Sequence, residues 1–112
     1  MTGTVLITGA GGYLGSQLLA ALASDTAAAK RIVAVDVRDI PTNRRIPGVA
    51  YCRADVRSAE LAELFKKSMP EVVVHLASIV TPGKHSNREF EYAVDVLGTE
   101  NVLKACLAAG VK

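Results

Sequence analysis

Four short apolar runs punctuate the chain: Val5-Leu6-Ile7, Ile32-Val33-Ala34-Val35, Val49-Ala50-Tyr51-Cys52 and Val72-Val73-Val74. They predict strands over Val5–Thr8, Ile32–Asp36, Val49–Arg53 and Val72–Leu76. The second run has no polar alternation, so both its faces are expected to be buried, as in a parallel sheet. The stretches between the runs carry helical spacing. Leu14, Leu18 and Leu22 fall on one face of a helix over Tyr13 to Ser24, and Ser58 is placed to cap a helix carrying Leu61, Leu64 and Phe65. Ser86 and Glu89 are spaced as a capping box for a long last helix, which Gly110 would end. Asp39 to Gly48 holds two prolines and a glycine, so that crossover reads mostly as loop. The alternation of strand and helix, without internal repeats, gives the α/β class and one domain over residues 1–112.

The first strand breaks into Thr8-Gly9-Ala10-Gly11-Gly12-Tyr13-Leu14-Gly15 and then opens a helix. Amides at a helix start lack intrahelical partners, and the helix dipole adds partial positive charge there. Such a turn is a cradle for an anionic pyrophosphate. Gly9 lets the chain turn sharply, Gly12 lets backbone approach the diphosphate, and Gly15 lets the helix lie close to the strand. The second strand ends in a carboxylate, Asp36, 21 residues beyond Gly15. That is close to the ~20 expected of an acid that accepts the two hydroxyls of an adenosine ribose. A carboxylate there repels a 2′-phosphate, so NAD is expected ahead of NADP. Arg38, two residues on, could soften that preference, because arginine is the usual partner of such a phosphate.

Glycine spacing separates families of nucleotide binder. Leu14 stands where a G-x-G-x-x-G fingerprint would need glycine, and no Gly-Lys-Ser/Thr follows as in a P-loop. The pattern T-G-x-x-G-x-x-G over Thr8, Gly9, Gly12 and Gly15 resembles the extended short-chain dehydrogenase/reductase family of NAD-dependent epimerases, dehydratases and reductases. Ala54-Asp55-Val56, Val72 to Ser78 and Val94 to Leu103 are similar to later motifs of the same family. The resemblance implies a Rossmann-type parallel sheet ordered 3-2-1-4 with helices on both faces, an incomplete three-layer sandwich. It also implies contact roles. Gly9, Gly12, Tyr13 and Leu14 would line the pyrophosphate, with Gly15 supporting the approach. Asp36 would hold the ribose, with Val37 beside the adenine and Asp55 and Val56 at the adenine edge. Leu76, Ala77 and Ser78 would run towards the nicotinamide. At Asp95 the family commonly carries asparagine; aspartate keeps the acceptor and loses the amide donor.

Composition narrows the partners. Half the residues are hydrophobic and 21% are charged, a normal globular balance. A formal net charge of +2 does not argue for nucleic acid. No apolar stretch approaches the ~20 residues that span a bilayer, and the first strand starts too early to leave room for a signal peptide. A cytoplasmic protein is expected, with Cys52 and Cys106 as buried thiols and no metal site. His75 falls in the fourth-strand motif and reads as core, while His85, Arg44 and Arg45 read as exposed loop residues.

The resemblance implies catalysis by a Tyr-x-x-x-Lys pair, in which the lysine lowers the tyrosine's pKa so that it can act as a base. No such spacing exists here: Tyr13, Tyr51 and Tyr92 are followed four residues on by Gln17, Asp55 and Val96. No catalytic residue is therefore assigned, and these 112 residues alone are expected to be inactive. Two functions stay open. One is the cofactor-binding front of an enzyme acting by hydride transfer on a sugar or related hydroxy compound; the other is a non-catalytic NAD-binding or sensor module. Were the chain to end at Lys112, the fourth strand would be an unpaired edge. Phe90, Val94, Leu97, Val102, Leu103 and Leu107 would then lack cover, so a homo-oligomer is expected.

Overall fold

Why each apolar run can be continuous is visible in how its residues divide between two cores. The computed structural model describes residues 3–25, 29, 31–79 and 87–112. The strands are β1 (Thr4–Thr8), β2 (Arg31–Asp36), β3 (Val49–Arg53) and β4 (Val72–His75). They form one parallel sheet in the order β3-β2-β1-β4. Side chains alternate across a strand. Val5, Ile7, Ile32 and Ala34 therefore meet Leu19 of helix α1 (Tyr13–Ser24) on one face. Leu6, Val33 and Val35 meet Leu61 and Phe65 of α2 (Glu60–Ser68) and Val102 and Ala105 of the last helix on the other. A sheet covered on both faces needs apolar residues at every position. The Rossmann-type expectation holds, including the strand order.

The fourth strand is one residue shorter than expected, ending at His75, because Leu76 turns its N–H to the Thr8 carbonyl and hydroxyl. The buried stripe of α1 is Gly15 and Leu19, with Leu18, Leu22 and Ala23 partly buried; Leu14 is exposed. Leu14 lies in the first turn of the helix. Cys52 and Cys106 are half-buried rather than buried, since each sits at the margin of the Leu6–Phe65 core. Burial pushes the Cys106 thiol above its usual pKa.

The N-cap of α2 is Ala59 rather than Ser58, but Ser58 still closes the helix start: its hydroxyl accepts the Glu60 N–H at 3.0 Å and its carbonyl accepts the Leu61 N–H at 3.3 Å. The last helix starts at Arg88, and Asn87 is its cap, accepting the Phe90 N–H at 2.8 Å. Ser86, expected in that role, lies outside the described residues, as does His85. The helix then runs through α3 (Arg88–Tyr92), a π-helical stretch (Ala93–Gly98) and α4 (Thr99–Ala109). It ends where expected. Gly110 takes the left-handed conformation, and the Gly110 and Val111 amides close back onto Leu107 and Cys106. Val102 is buried in the core, whereas Leu97, Leu103 and Leu107 face outward. Between β2 and β3 a 3₁₀ turn (Thr42–Arg44) sits in the proline-bearing crossover.

Candidate functional site

The C-terminal ends of β1, β2 and β4 converge on the glycine turn. Gly9 has φ +67°, and a Cβ there would lie 2.6 Å from the Ala77 nitrogen and the Leu76 carbonyl carbon. The turn therefore rests directly on the backbone that leaves β4. A Cβ on Gly15 would strike the Gly9 carbonyl oxygen and lie 2.8 Å from the Ala10 Cα, so only glycine lets α1 start this close to the turn. The Ala10 N–H donates to the Val35 carbonyl at 3.1 Å and the Gly12 N–H to the Gly9 carbonyl at 3.1 Å. No side chain caps α1, and its first turn holds no acid. Its free amides are thus left for an anion.

Asp36 is brought against this turn. Its Oδ2 accepts the Gly11 N–H at 2.8 Å, and its Oδ1 accepts the Arg38 N–H at 2.9 Å and the Arg38 Nε–H at 3.4 Å. The carboxylate is 6% exposed, and the donors it meets fix its direction. Gly11 was not singled out from the spacing, and its part is twofold. Its amide aims the carboxylate, and a Cβ there would come within 3.0 Å of Oδ2. Val37 next along is exposed.

Across the sheet end, Asp55 is held by Arg57 through a bidentate ion pair, with Nη2 to Oδ2 at 2.6 Å. That hydrogen-bonded pairing lowers the Asp55 pKa below its ordinary value and raises that of Arg57. The Val56 side chain is buried in the core, and its carbonyl accepts from Asn101 Nδ2 at 2.8 Å. The Asp55 carboxylate is thus already paired, and the Val56 backbone is held by Asn101.

A polar relay runs under the β4 end. Buried Thr8 accepts the Leu76 N–H at 3.1 Å and the Ala77 N–H at 3.3 Å on its hydroxyl oxygen, which lies 2.6 Å from His75 Nδ1. With its lone pairs so engaged, Thr8 must donate its proton to Nδ1. Thr99 Oγ1 donates to the Asp95 carbonyl at 2.7 Å, so at 2.9 Å it accepts from His75 Nε2. The ring is thereby set as the neutral Nε2–H tautomer. His75 is half-buried rather than inert core, and burial lowers its pKa, with Asp95 pulling the other way. Asp95 Oδ1 accepts from the Ser78 hydroxyl at 3.0 Å and the Ile79 N–H at 2.7 Å. Both contacts need an acceptor, so the carboxylate serves where an amide oxygen would. Leu76, Ala77 and Ser78 are thus fixed by Thr8 on one side and Asp95 on the other.

The β2–β3 crossover is more organised than a solvated loop. Arg45 donates to the Ile40 carbonyl at 2.8 Å, pairs with Asp39 at 3.1 Å and lies over the Tyr51 ring at 5.3 Å. The Tyr51 hydroxyl accepts the Ile46 N–H at 2.8 Å. This bracing leaves a cleft of about 260 Å³ between the crossover, α1 and Asp36. Among the described residues no helix is long and apolar enough to cross a membrane.

A sequence profile of the NAD dependent epimerase/dehydratase family matches residues 5–112. Short-chain dehydrogenase/reductase family 42E member 1 of Danio rerio is 38% identical over 109 residues, which are 95% of this chain and 26% of that protein. UDP-glucose 4-epimerase of Azospirillum brasilense is 35% identical over 112 residues, covering 96% of this chain and 31% of the enzyme. The chain thus spans about a quarter to a third of the length of the curated relatives it matches. Among solved structures, Bordetella bronchiseptica WbmG in complex with NAD superposes with a TM-score of 0.84 at 28% identity, over 100% of this chain and 36% of that one. The UDP-glucose 4-epimerase of Thermus thermophilus in complex with NAD gives 0.82 at 26% identity, over 97% and 35%.

Proposed function

Because the chain belongs to the NAD-dependent epimerase/dehydratase family, we propose that it is the NAD-binding portion of an epimerase, dehydratase or reductase acting on a sugar or related hydroxy compound. The observation that carries this reading is the convergence of uncapped α1 amides with the Asp36 carboxylate, tied together by the Gly11 N–H. That arrangement suits a ligand with a diphosphate at one end and a ribose diol at the other. Bound NAD would supply a hydride acceptor for a carbinol carbon. Backbone at Gly9, Gly12, Tyr13 and Leu14 lines the pyrophosphate, and Gly15 holds α1 close. Asp36 accepts the ribose hydroxyls, and Val37, Asp55 and Val56 border the adenine. Leu76, Ala77 and Ser78 position the nicotinamide end and exclude water beneath it. The likeness to UDP-glucose 4-epimerases supports a sugar substrate for the longer protein. The family's catalytic Tyr and Lys would come from the part of that protein beyond this match.

A second reading is a non-catalytic NAD-binding or sensor module, which the same uncapped helix start and Asp36 carboxylate would serve. Conversion of a UDP-sugar by the longer protein in the presence of NAD would separate the two. Calorimetric titration of this chain with NAD and NADP tests the shared premise. Asp36→Ala should weaken NAD roughly tenfold to a hundredfold, the worth of losing hydrogen bonds to a charged acceptor, and NADP much less. Equal losses would remove Asp36 from the ribose role. A cytoplasmic location and self-association belong to the same proposal. Exposed Leu97, Leu103 and Leu107 support association. A monomer in analytical ultracentrifugation at tens of micromolar would exclude it.

A further inference from the structure

The tripeptide Asp-Val-Arg occurs twice at the rim of the sheet, as Asp36-Val37-Arg38 at the end of β2 and as Asp55-Val56-Arg57 just past β3. In both, the arginine N–H donates to Oδ1 of the acid at 2.9 Å. The Ala54 N–H donates to the Asp36 carbonyl at 3.0 Å, which ties the two turns together. The guanidinium groups then part ways. Arg38 makes one 3.4 Å contact to Asp36, whereas Arg57 closes on Asp55 with Nε to Oδ1 at 3.0 Å and Nη2 to Oδ2 at 2.6 Å. The Arg57 guanidinium has a support of its own: it lies over the Phe90 ring of α3 at 5.1 Å, and Asn87 pins the Phe90 N–H. Ring and carboxylate hold the cation together.

A carboxylate offers about four lone-pair sites. Arg57 fills both on Oδ1 with its N–H and its Nε–H, which also leans to Oδ2 at 3.2 Å, and it takes one on Oδ2 with Nη2. One acceptor position stays open on Oδ2, in a direction the side chain cannot change without breaking the pair. We propose that Arg57, seated on Phe90, is a specificity-determining positioning residue: it restricts Asp55 to one fixed acceptor, so that the groove selects a purine with a 6-amino group over one with a 6-oxo group. The inference deepens the cofactor reading above and rests on Asp55 bordering the adenine. A fixed acceptor receives an amino N–H and repels a carbonyl oxygen in the same place. A free carboxylate could instead swing to the ring N1–H that a 6-oxopurine carries, and the distinction would be lost. The acid supplies the bond, and the arginine supplies the choice.

Calorimetric titration with NAD and with nicotinamide hypoxanthine dinucleotide, which differs only at the base, tests it. Wild type should favour NAD by about tenfold, the low end for a bond to a charged acceptor, because the pair is partly open to solvent. Arg57→Ala should cut that preference to about twofold or less, with the hypoxanthine dinucleotide held within about twofold of its wild-type affinity. Arg57→Lys, which cannot make the paired contact, should restore only part. Phe90→Leu keeps an apolar side chain but removes the ring beneath the cation, so it should lower the preference about threefold. It decides the matter if Arg57→Ala disturbs folding, and an unchanged preference there would overturn the proposal. Asp55→Ala should abolish the preference outright; one that survived would place the base elsewhere and overturn it too. Equal losses of both dinucleotides in Arg57→Ala would make the arginine merely structural. Wild type binding the two equally would overturn the proposal and leave the cofactor site standing, whereas failure of both to bind would overturn both readings.

Discussion

Replacing Thr8 by valine removes one hydroxyl that the fold uses three times. The side chain is fully buried, and its oxygen accepts from the Leu76 and Ala77 amides while its proton serves His75 Nδ1. Valine keeps the shape but leaves those groups to fend separately. The Leu76 N–H retains the Thr8 carbonyl at 3.1 Å, so it loses little. The Ala77 N–H and His75 Nδ1 lose their described partners. An unsatisfied buried donor or acceptor costs about 1–3 kcal/mol, and both groups are only half-buried. A total of roughly 2–4 kcal/mol is therefore expected, a large share of the ~5–15 kcal/mol typical of a domain. Urea unfolding near pH 7.5 should show a lower midpoint at unchanged slope, and Thr8→Ser should recover much of the loss by restoring the hydroxyl. Nitrogen-15 shifts of His75 provide a separate check, with the Nε2–H tautomer expected in the wild type. Stability within about 0.5 kcal/mol of wild type, or an Nδ1–H tautomer, would refute the relay as drawn.

Three further outcomes are expected. His75 has a folded-state pKa below its unfolded value, chiefly through burial. Its contribution to stability should be complete above the unfolded pKa of about 6.5 and decline as pH falls through that value towards the folded one; His75→Gln should flatten that part of a stability–pH profile. Gly15→Ala must push α1 off the turn, since ordinary contact with Ala10 needs more than half an ångström of retreat. Overpacking of this kind costs about 1–3 kcal/mol, so thermal unfolding should fall and NAD affinity should fall with it; unchanged values would show that the close approach is dispensable. Met69 ends α2 in the left-handed conformation at φ 46° and is exposed. Met69→Gly should stabilise by up to about 1 kcal/mol, read as a rise of a few degrees in Tm.

What could be read from the sequence depended on whether one physical demand dominated a position. The strands were legible because burial on both sheet faces requires unbroken apolar runs such as Ile32–Val35, and the glycine turn marked where α1 begins. The buried side of α1 was misjudged at Leu14, because period alone does not say which turns of a helix meet the core. The last helix was legible as a helix with its glycine end, but not in its interior. Asn87 and Ser86 are both good caps, and nothing local chooses between them. The π-helical stretch arises from tertiary demands on Asp95 and Gly98 that no local pattern announces. Within the candidate site, Gly9, Gly15 and Asp36 carried a spacing. Gly11, Arg45 and the Thr8–His75–Thr99 relay did not, because their partners are joined only by the fold.

The π-helical stretch Ala93–Gly98 also governs how this helix can vary. Its two halves answer to different neighbours: Asp95 must meet Ser78 and Ile79, while Gly98 lies against Val56, and Val102 and Ala105 turn into the core. Each residue advances an α-helix by about 100°, and a wider turn can absorb an extra residue without breaking the rod. The stretch therefore acts as a phase shifter between the rim of the groove and the packing beneath. Substitutions that keep the residue count leave both phases intact. Deleting one residue would yield a more regular coil whose two ends can no longer be in phase with their neighbours together.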